Sequence, residues 1–129
     1  MTGPIRQELT FESTPDAIYE ALTDASRFSA MSGGAPAEID PTPGGAFSCF
    51  GGMITGRIVE CSPGKRLVQA WRAKPWEPGL YSIVRFELAV DGEKTRVVME
   101  HAGFPEEQRE HLAQGWQANY WEPLRKLVA

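Results

Sequence analysis

The stretch PGGAFSCFGGMITGRIVECSPGK, residues 43–65, holds six glycines among short apolar runs. Glycine-rich backbone of this kind either cradles phosphate or turns a β-meander, and the choice decides the fold. A phosphate loop runs from a strand into glycines that open directly into a helix, often with a lysine. Residues 43–65 lack the GxxxxGK(S/T) spacing and continue as further short strands instead. Glycine therefore serves turns here. Gly51-Gly52, between AFSCF and MITGRIVE, suits a two-residue hairpin loop, and Pro63-Gly64 suits the centre of a type II turn.

Those turns predict a register. Phe47 falls opposite Gly56, Cys49 opposite Ile54, Ile58 opposite Gln69, and Gly56 opposite Trp71. Side chains alternate along a strand, so one face collects Phe47, Cys49, Ile54, Ile58, Leu67 and Trp71. Ser48, Thr55, Arg57 and Arg72 take the other face, and Cys61 goes with them. Gly56 sits between two aromatics and leaves bare backbone under both rings.

The same reading extends in both directions. Ile5, Gln7, Leu9 and Phe11 alternate with Arg6, Glu8, Thr10 and Glu12, which predicts a half-buried first strand. Thr14, Pro15 and Asp16 form a helix start, with Ile18, Ala21 and Leu22 on its apolar face. A second short helix over ASRFSAMS stops at Gly33-Gly34. Downstream, YSIVRFELAVDGEKTRVVMEH is a hairpin around Asp91-Gly92. Val84, Phe86, Leu88, Val97, Met99 and His101 share its inner face, and Arg85, Glu87, Arg96 and Glu100 its outer one, with an opposite-charge pair across the strands. The last segment, FPEEQREHLAQGWQANYWEPLRKLV, is a long amphipathic helix whose buried stripe is Leu112, Trp116, Tyr120, Leu124 and Leu127. Pro123 should kink it or restart it near Asn119.

Composition excludes several function classes. The 129 residues are 42% hydrophobic and suit one globular domain. A net charge of −4 with interspersed signs offers no basic stripe, so nucleic acid is not an expected partner. No signal-peptide core or run of about 18 apolar residues is present, so no membrane insertion and a cytoplasmic location are expected. Cys49 and Cys61, on opposite faces, are expected to be free thiols.

Taken in order, STPDAIYEALTDASRFSAMS, GGAFSCFGGMITGRIVECSPGKRLVQAWR, TRVVMEHAGFP and GWQANYW resemble the START-like (SRPBCC) superfamily. Within it they are most similar to the branch named after the activator of the heat-shock-protein-90 ATPase. The resemblance implies an α+β helix-grip fold over residues 1–129. In that fold a curved antiparallel sheet wraps a long C-terminal helix, and two short helices follow the first strand. It also implies a cavity between sheet and helix that takes apolar molecules. The residues this places near the cavity are Phe28, Met31, Phe47, Trp71, Trp76, His101, Phe104, Trp116 and Tyr120, an aromatic set with few polar tips. The eukaryotic co-chaperone of that branch carries a further N-terminal chaperone-binding domain, whereas this sequence opens on the helix-grip strand.

Catalytic groups are sparse. The two histidines and two cysteines have no zinc spacing, so no metal and no cofactor are expected. Nothing resembles a G-x-S-x-G nucleophile elbow. His101 is the one candidate acid or base, on the inner face with Val97 and Met99, while His111 lies on the solvated side of the helix. The leading expectation is a non-enzymatic module for a small apolar ligand. A polyketide cyclase or hydrolase-like enzyme, and a protein-interaction domain acting on a chaperone or forming a homodimer, are the alternatives.

Overall fold

A computed structural model describes residues 3–128. Seven antiparallel strands form one sheet: β1 (Ile5–Phe11), β2 (Glu38–Ile39), β3 (Ala46–Cys49), β4 (Ile54–Ser62), β5 (Arg66–Ala73), β6 (Ser82–Asp91) and β7 (Lys94–Ala102). Their order is β1-β7-β6-β5-β4-β3-β2, so the last strand returns to pair with the first and the rest is a meander. Between β1 and β2 lie α1 (Pro15–Thr23) and α2 (Ala25–Met31). Side chains cap both: Thr14 accepts from the Ala17 N–H and Asp24 from the Arg27 N–H. After β7, a 3₁₀ turn at Glu106–Gln108 leads into α3 (Arg109–Gly115), a π-helical turn (Trp116–Trp121) and α4 (Glu122–Val128). This is the α+β helix-grip architecture, with the long C-terminal helix on the inner face of the sheet.

The register at the glycine-rich stretch is the expected one: Phe47 pairs with Gly56, Cys49 with Ile54, Gly56 with Trp71 and Ile58 with Gln69. The hairpin loop is wider than expected. The strands end at Cys49 and Ile54, leaving Phe50–Met53 outside the ladder, with Phe50, Gly51 and Gly52 all at positive φ. The Phe50 ring is drawn between Phe28 and Tyr120, at 5.4 and 5.5 Å between centroids, and the Gly51 N–H donates to the Pro36 carbonyl.

A second difference lies further along β4. The pairing shifts between Ile58 and Glu60, so Val59 is an extra residue, 52% exposed, and the alternation inverts beyond it. Cys61 therefore pairs with Leu67 on the inner face, beside Tyr19 of α1, and not on the outer face that unbroken alternation assigns to it. Both cysteines are free nonetheless. Cys61 stands seven residues beyond the Cys49 partner Ile54, on the order of 20 Å along the strand, far outside disulfide reach.

In the β6–β7 hairpin the ladder continues to Asp91 and Lys94, so Gly92-Glu93 form the turn. Val84, Phe86, Leu88, Val97, Met99 and His101 are all buried, as alternation requires. The outer face is polar. Glu60, Arg66, Glu87, Arg85, Glu100, Arg6, Glu8 and Arg96 form a chain of neighbouring opposite charges that crosses β4, β5, β6, β7 and β1. Exposed pairs of this kind add little stability each, but the face they cover is hydrated and of mixed sign.

Pro123 disturbs the C-terminal helix through a widened π-helical turn ahead of it and does not restart it near Asn119. It has no N–H for the Asn119 carbonyl, and the chain widens ahead of it, with the Glu122 N–H reaching five residues back to Gln117. The wider turn carries an extra inward residue. Tyr120 and Trp121 are both buried, where a regular helical stripe takes only Tyr120.

Candidate functional site

Between sheet and helix the inner face has two parts. Toward β1 it is solid. Trp121 packs on Phe11 and Phe86 and donates its indole N–H to Gln7 Oε1 at 2.6 Å, while Gln7 Nε2 donates to the Ala113 carbonyl. Toward β3 and β4 it opens into a cavity of about 680 Å³. Its floor is Ile54, Trp71 and Ala73 of the sheet, and the hairpin loop adds Phe50 and Met53. The segment between β5 and β6 contributes Pro75, Trp76, Glu77 and Leu80, and the helix contributes Leu112, Gly115, Trp116, Asn119 and Tyr120. Pro105, Glu107, Gln108 and His111 complete the mouth. The aromatic rings are in contact: Trp71 lies 5.6 Å from Trp76 and 5.8 Å from Trp116, and Trp116 lies 4.3 Å from Tyr120.

Of the residues expected near a cavity, Trp71, Trp76, Trp116 and Tyr120 line this one. Phe28, Met31 and Phe47 are buried in the packing around it, Phe28 edge-on to Tyr120. Phe104 is partly buried, beside His101 and under the Arg109 guanidinium. His101 is fully buried and does not reach the lining. Its Nδ1 accepts from the Trp116 indole N–H at 3.1 Å, which places the proton on Nε2. That proton is donated to Ser82 Oγ at 2.7 Å, and the Ser82 hydroxyl donates to the Trp71 carbonyl at 3.0 Å. Burial lowers the His101 pKa from 6.5 to about 3, so the ring is neutral with both nitrogens engaged. This fully satisfied chain ties helix to sheet behind the cavity.

Burial also shifts Tyr19 of α1, Cys49 and Tyr120, the last two being neighbours at this end of the sheet. Burial pushes the Cys49 thiol up to about 12, which keeps it protonated and a poor nucleophile. The Tyr120 phenol is also raised by burial, with Cys49 nearby adding to the effect. The Trp71 indole N–H lies near that phenol and influences it, yet falls short of hydrogen-bond geometry, and it is buried without a partner. Among the described residues no three His, Cys, Asp or Glu side chains gather as a metal site.

Several lining residues carry no strong sequence signal. Phe50 and Met53 lie where a two-residue loop has no inward positions. His111 and Glu107 belong to the polar side of the helix, and the helix's first turns bring them to the mouth. Gly115 is helical, and a Cβ there would meet nothing closer than Asn119 Nδ2 at 3.7 Å, so its bare backbone is part of the open space.

A sheet gripping a helix over an aromatic cavity defines a class of fold, and comparison with known proteins narrows it. The family model described as Activator of Hsp90 ATPase homolog 1-like protein matches residues 12–129, and the chain belongs to this family. It is 29% identical over 125 residues to Activator of 90 kDa heat shock protein ATPase homolog 1 of Homo sapiens, covering 97% of this chain. It spans only 37% of that relative's length. Among solved structures, an HSP90 activator from Plasmodium falciparum superposes with a TM-score of 0.90 at 26% identity, covering 97% of this chain and 95% of that one. The Aha1 dimer from Colwellia psychrerythraea gives a TM-score of 0.83 at 17% identity over 98% and 97% of the two chains, a likeness of fold alone. No helix among the described residues is long and apolar enough to cross a membrane.

Proposed function

We propose that this chain acts as one helix-grip domain that binds a small apolar molecule bearing a flat ring, without turning it over. The observation that carries this reading is the cavity of about 680 Å³ walled by Trp71, Trp76, Trp116, Tyr120 and Phe50. Its size lies within the roughly 300–1,000 Å³ of small-molecule sites, and its walls are the aromatic surfaces such sites use. Glu77 and Glu107 are at the mouth and, among the described residues, no Lys or Arg lines it, which favours neutral or cationic ligands over carboxylates. The absence of turnover is supported by His101, whose two nitrogens are committed and which stands behind the wall.

The test is a titration with N-phenyl-1-naphthylamine, a neutral apolar fluorophore, followed by energy transfer from tryptophan. Saturable uptake of one molecule per chain is expected, with 2-naphthoate binding more weakly. Absence of saturable uptake of any such probe would remove the reading.

Family membership supports a second one, in which the chain stimulates the ATPase of a 90 kDa heat shock chaperone, as the names of its relatives state for them. Adding the chain to such a chaperone and measuring ATP hydrolysis separates the two. Stimulation that persists when the cavity is filled belongs to the surface of the molecule.

A further inference from the structure

We propose that the segment joining β5 to β6 is the lid of the cavity and that Arg72 is the latch that holds it closed. The proposal rests on the ligand-binding reading above and adds the route by which ligand exchanges. Arg72 follows the floor residue Trp71 and so leaves the sheet on the opposite side. Its guanidinium collects the lid's backbone: Nη1 donates to the Glu77 carbonyl at 2.8 Å and to the Leu80 carbonyl at 3.3 Å, and Nη2 donates to the Trp76 carbonyl at 2.9 Å. The Tyr81 ring lies 5.7 Å from the guanidinium carbon. One side chain thus holds the backbone carbonyls of three residues that line the cavity, Trp76, Glu77 and Leu80.

Little else fastens this segment. Its base is tied by the Lys74 N–H to the Met53 carbonyl, and its other turns are internal, Trp76 to Ala73 and Leu80 to Glu77. Among the described residues, the hydrogen bonds that residues 75–81 receive from another side chain all come from Arg72. Glu77, Pro78 and Gly79 are exposed, so their backbone can be hydrated if the latch lets go. The remaining hold is apolar, Trp76 against Trp71 and the half-buried Leu80 against the core. The adjoining hairpin loop has further anchors beyond that shared bond, through Gly51 to Pro36 and through Phe50 between Phe28 and Tyr120. Opening therefore falls on 75–81. A planar guanidinium can address three carbonyls at once, and an ammonium cannot reproduce that fork.

The experiment compares wild type, Arg72→Lys and Arg72→Ala in two ways. Hydrogen exchange read by mass spectrometry should show the peptide over 74–81 exchanging roughly tenfold faster in both variants, the equivalent of losing one hydrogen bond to a charged group. Peptides over 54–58 and 95–101 should keep their protection. Stopped-flow mixing with N-phenyl-1-naphthylamine should show both uptake and release accelerating, so that the rates change more than the affinity. Unchanged exchange over 74–81, or acceleration spread over the whole chain, would overturn the latch. Faster loop exchange with unchanged probe kinetics would overturn the lid. If wild type takes up no probe, the ligand reading and the lid fail together, and the exchange arm alone decides whether Arg72 fastens the loop.

Discussion

The same helix and the same sheet enclose two different interiors. At the β1 end, Trp121, Phe11, Phe86 and Leu124 fill the space, and the buried indole N–H of Trp121 has Gln7 as partner. At the β3–β4 end, Trp71, Trp76, Trp116 and Tyr120 surround a void, and the buried N–H of Trp71 has none. Large aromatics are common to both. What differs is backbone geometry: the π-helical turn brings an additional ring into the closed end, whereas Gly115 withholds a side chain at the open one. Buried aromatic area by itself therefore does not distinguish core from site; satisfied polar atoms and filled volume do.

The sharpest way to break this contrast is to truncate one tryptophan from each end. Trp121→Ala should cost about 3–5 kcal/mol, because it removes a fully packed ring and strands the side-chain Oε1 of Gln7. Trp76→Ala, on the cavity side, should cost less than half as much. Urea denaturation measures both, and equal losses would mean the two ends are packed alike.

Acid sharpens the boundary between the ends, where His101 sits. In the unfolded chain imidazole takes up a proton below its ordinary value of 6.5, and in the folded chain not until about 3. Between those values the unfolded state binds the extra proton, so this group's contribution is complete above pH 6.5 and is lost as pH falls toward 3. The slope should approach about 1.4 kcal/mol per pH unit. Denaturation midpoints from pH 7 to 4.5 should show it in wild type and a flatter dependence in His101→Asn. Parallel curves would show that His101 is not buried neutral.

A smaller effect tests the backbone of the open end. A Cβ at Gly56 would stand 2.8 Å from the Phe47 ring and 1.8 Å from the Ala70 carbonyl oxygen. Gly56→Val should lower stability by about 1–3 kcal/mol despite the better strand propensity of valine. A denaturation midpoint at or above wild type would show that this glycine is not required by close approach. The nearest obstructions are the Ala70 carbonyl and the Phe47 ring, one of the two rings that the register places beside this glycine.

Much of this was legible in residue order, and the exceptions share a cause. Alternation places the inner-face residues of β6 and β7 correctly, because burial of one face penalises a slip that turns side chains outward, but it does not choose which opposite-charge pair forms, and the structure selects Arg85–Glu100. It misplaces Cys61, since no residue type announces the extra Val59. Pro123 announces a disturbed helix but not its form, so Trp121 goes unread as a core residue. Trp71, Trp76, Trp116 and Tyr120 are recognisable as inward aromatics, but whether such rings interlock or leave room depends on the three-dimensional course of loop and helix. The Arg72 latch was invisible for the same reason: its partners are backbone carbonyls, which every residue has.

The central claim, that the open end is a binding cavity and not loosely packed core, is tested most directly at Gly115. Its backbone is helical and its Cβ position is unobstructed, so a side chain there should extend into the void. Gly115→Leu should leave the chain folded, gaining up to about 1 kcal/mol from helix propensity, while filling the site. Wild type and variant would be titrated side by side with N-phenyl-1-naphthylamine, with the denaturation midpoint of each measured in the same buffer. The account predicts saturable uptake by wild type and its loss in a variant of equal or higher stability. Undiminished uptake by the folded variant, or none by wild type, would contradict it.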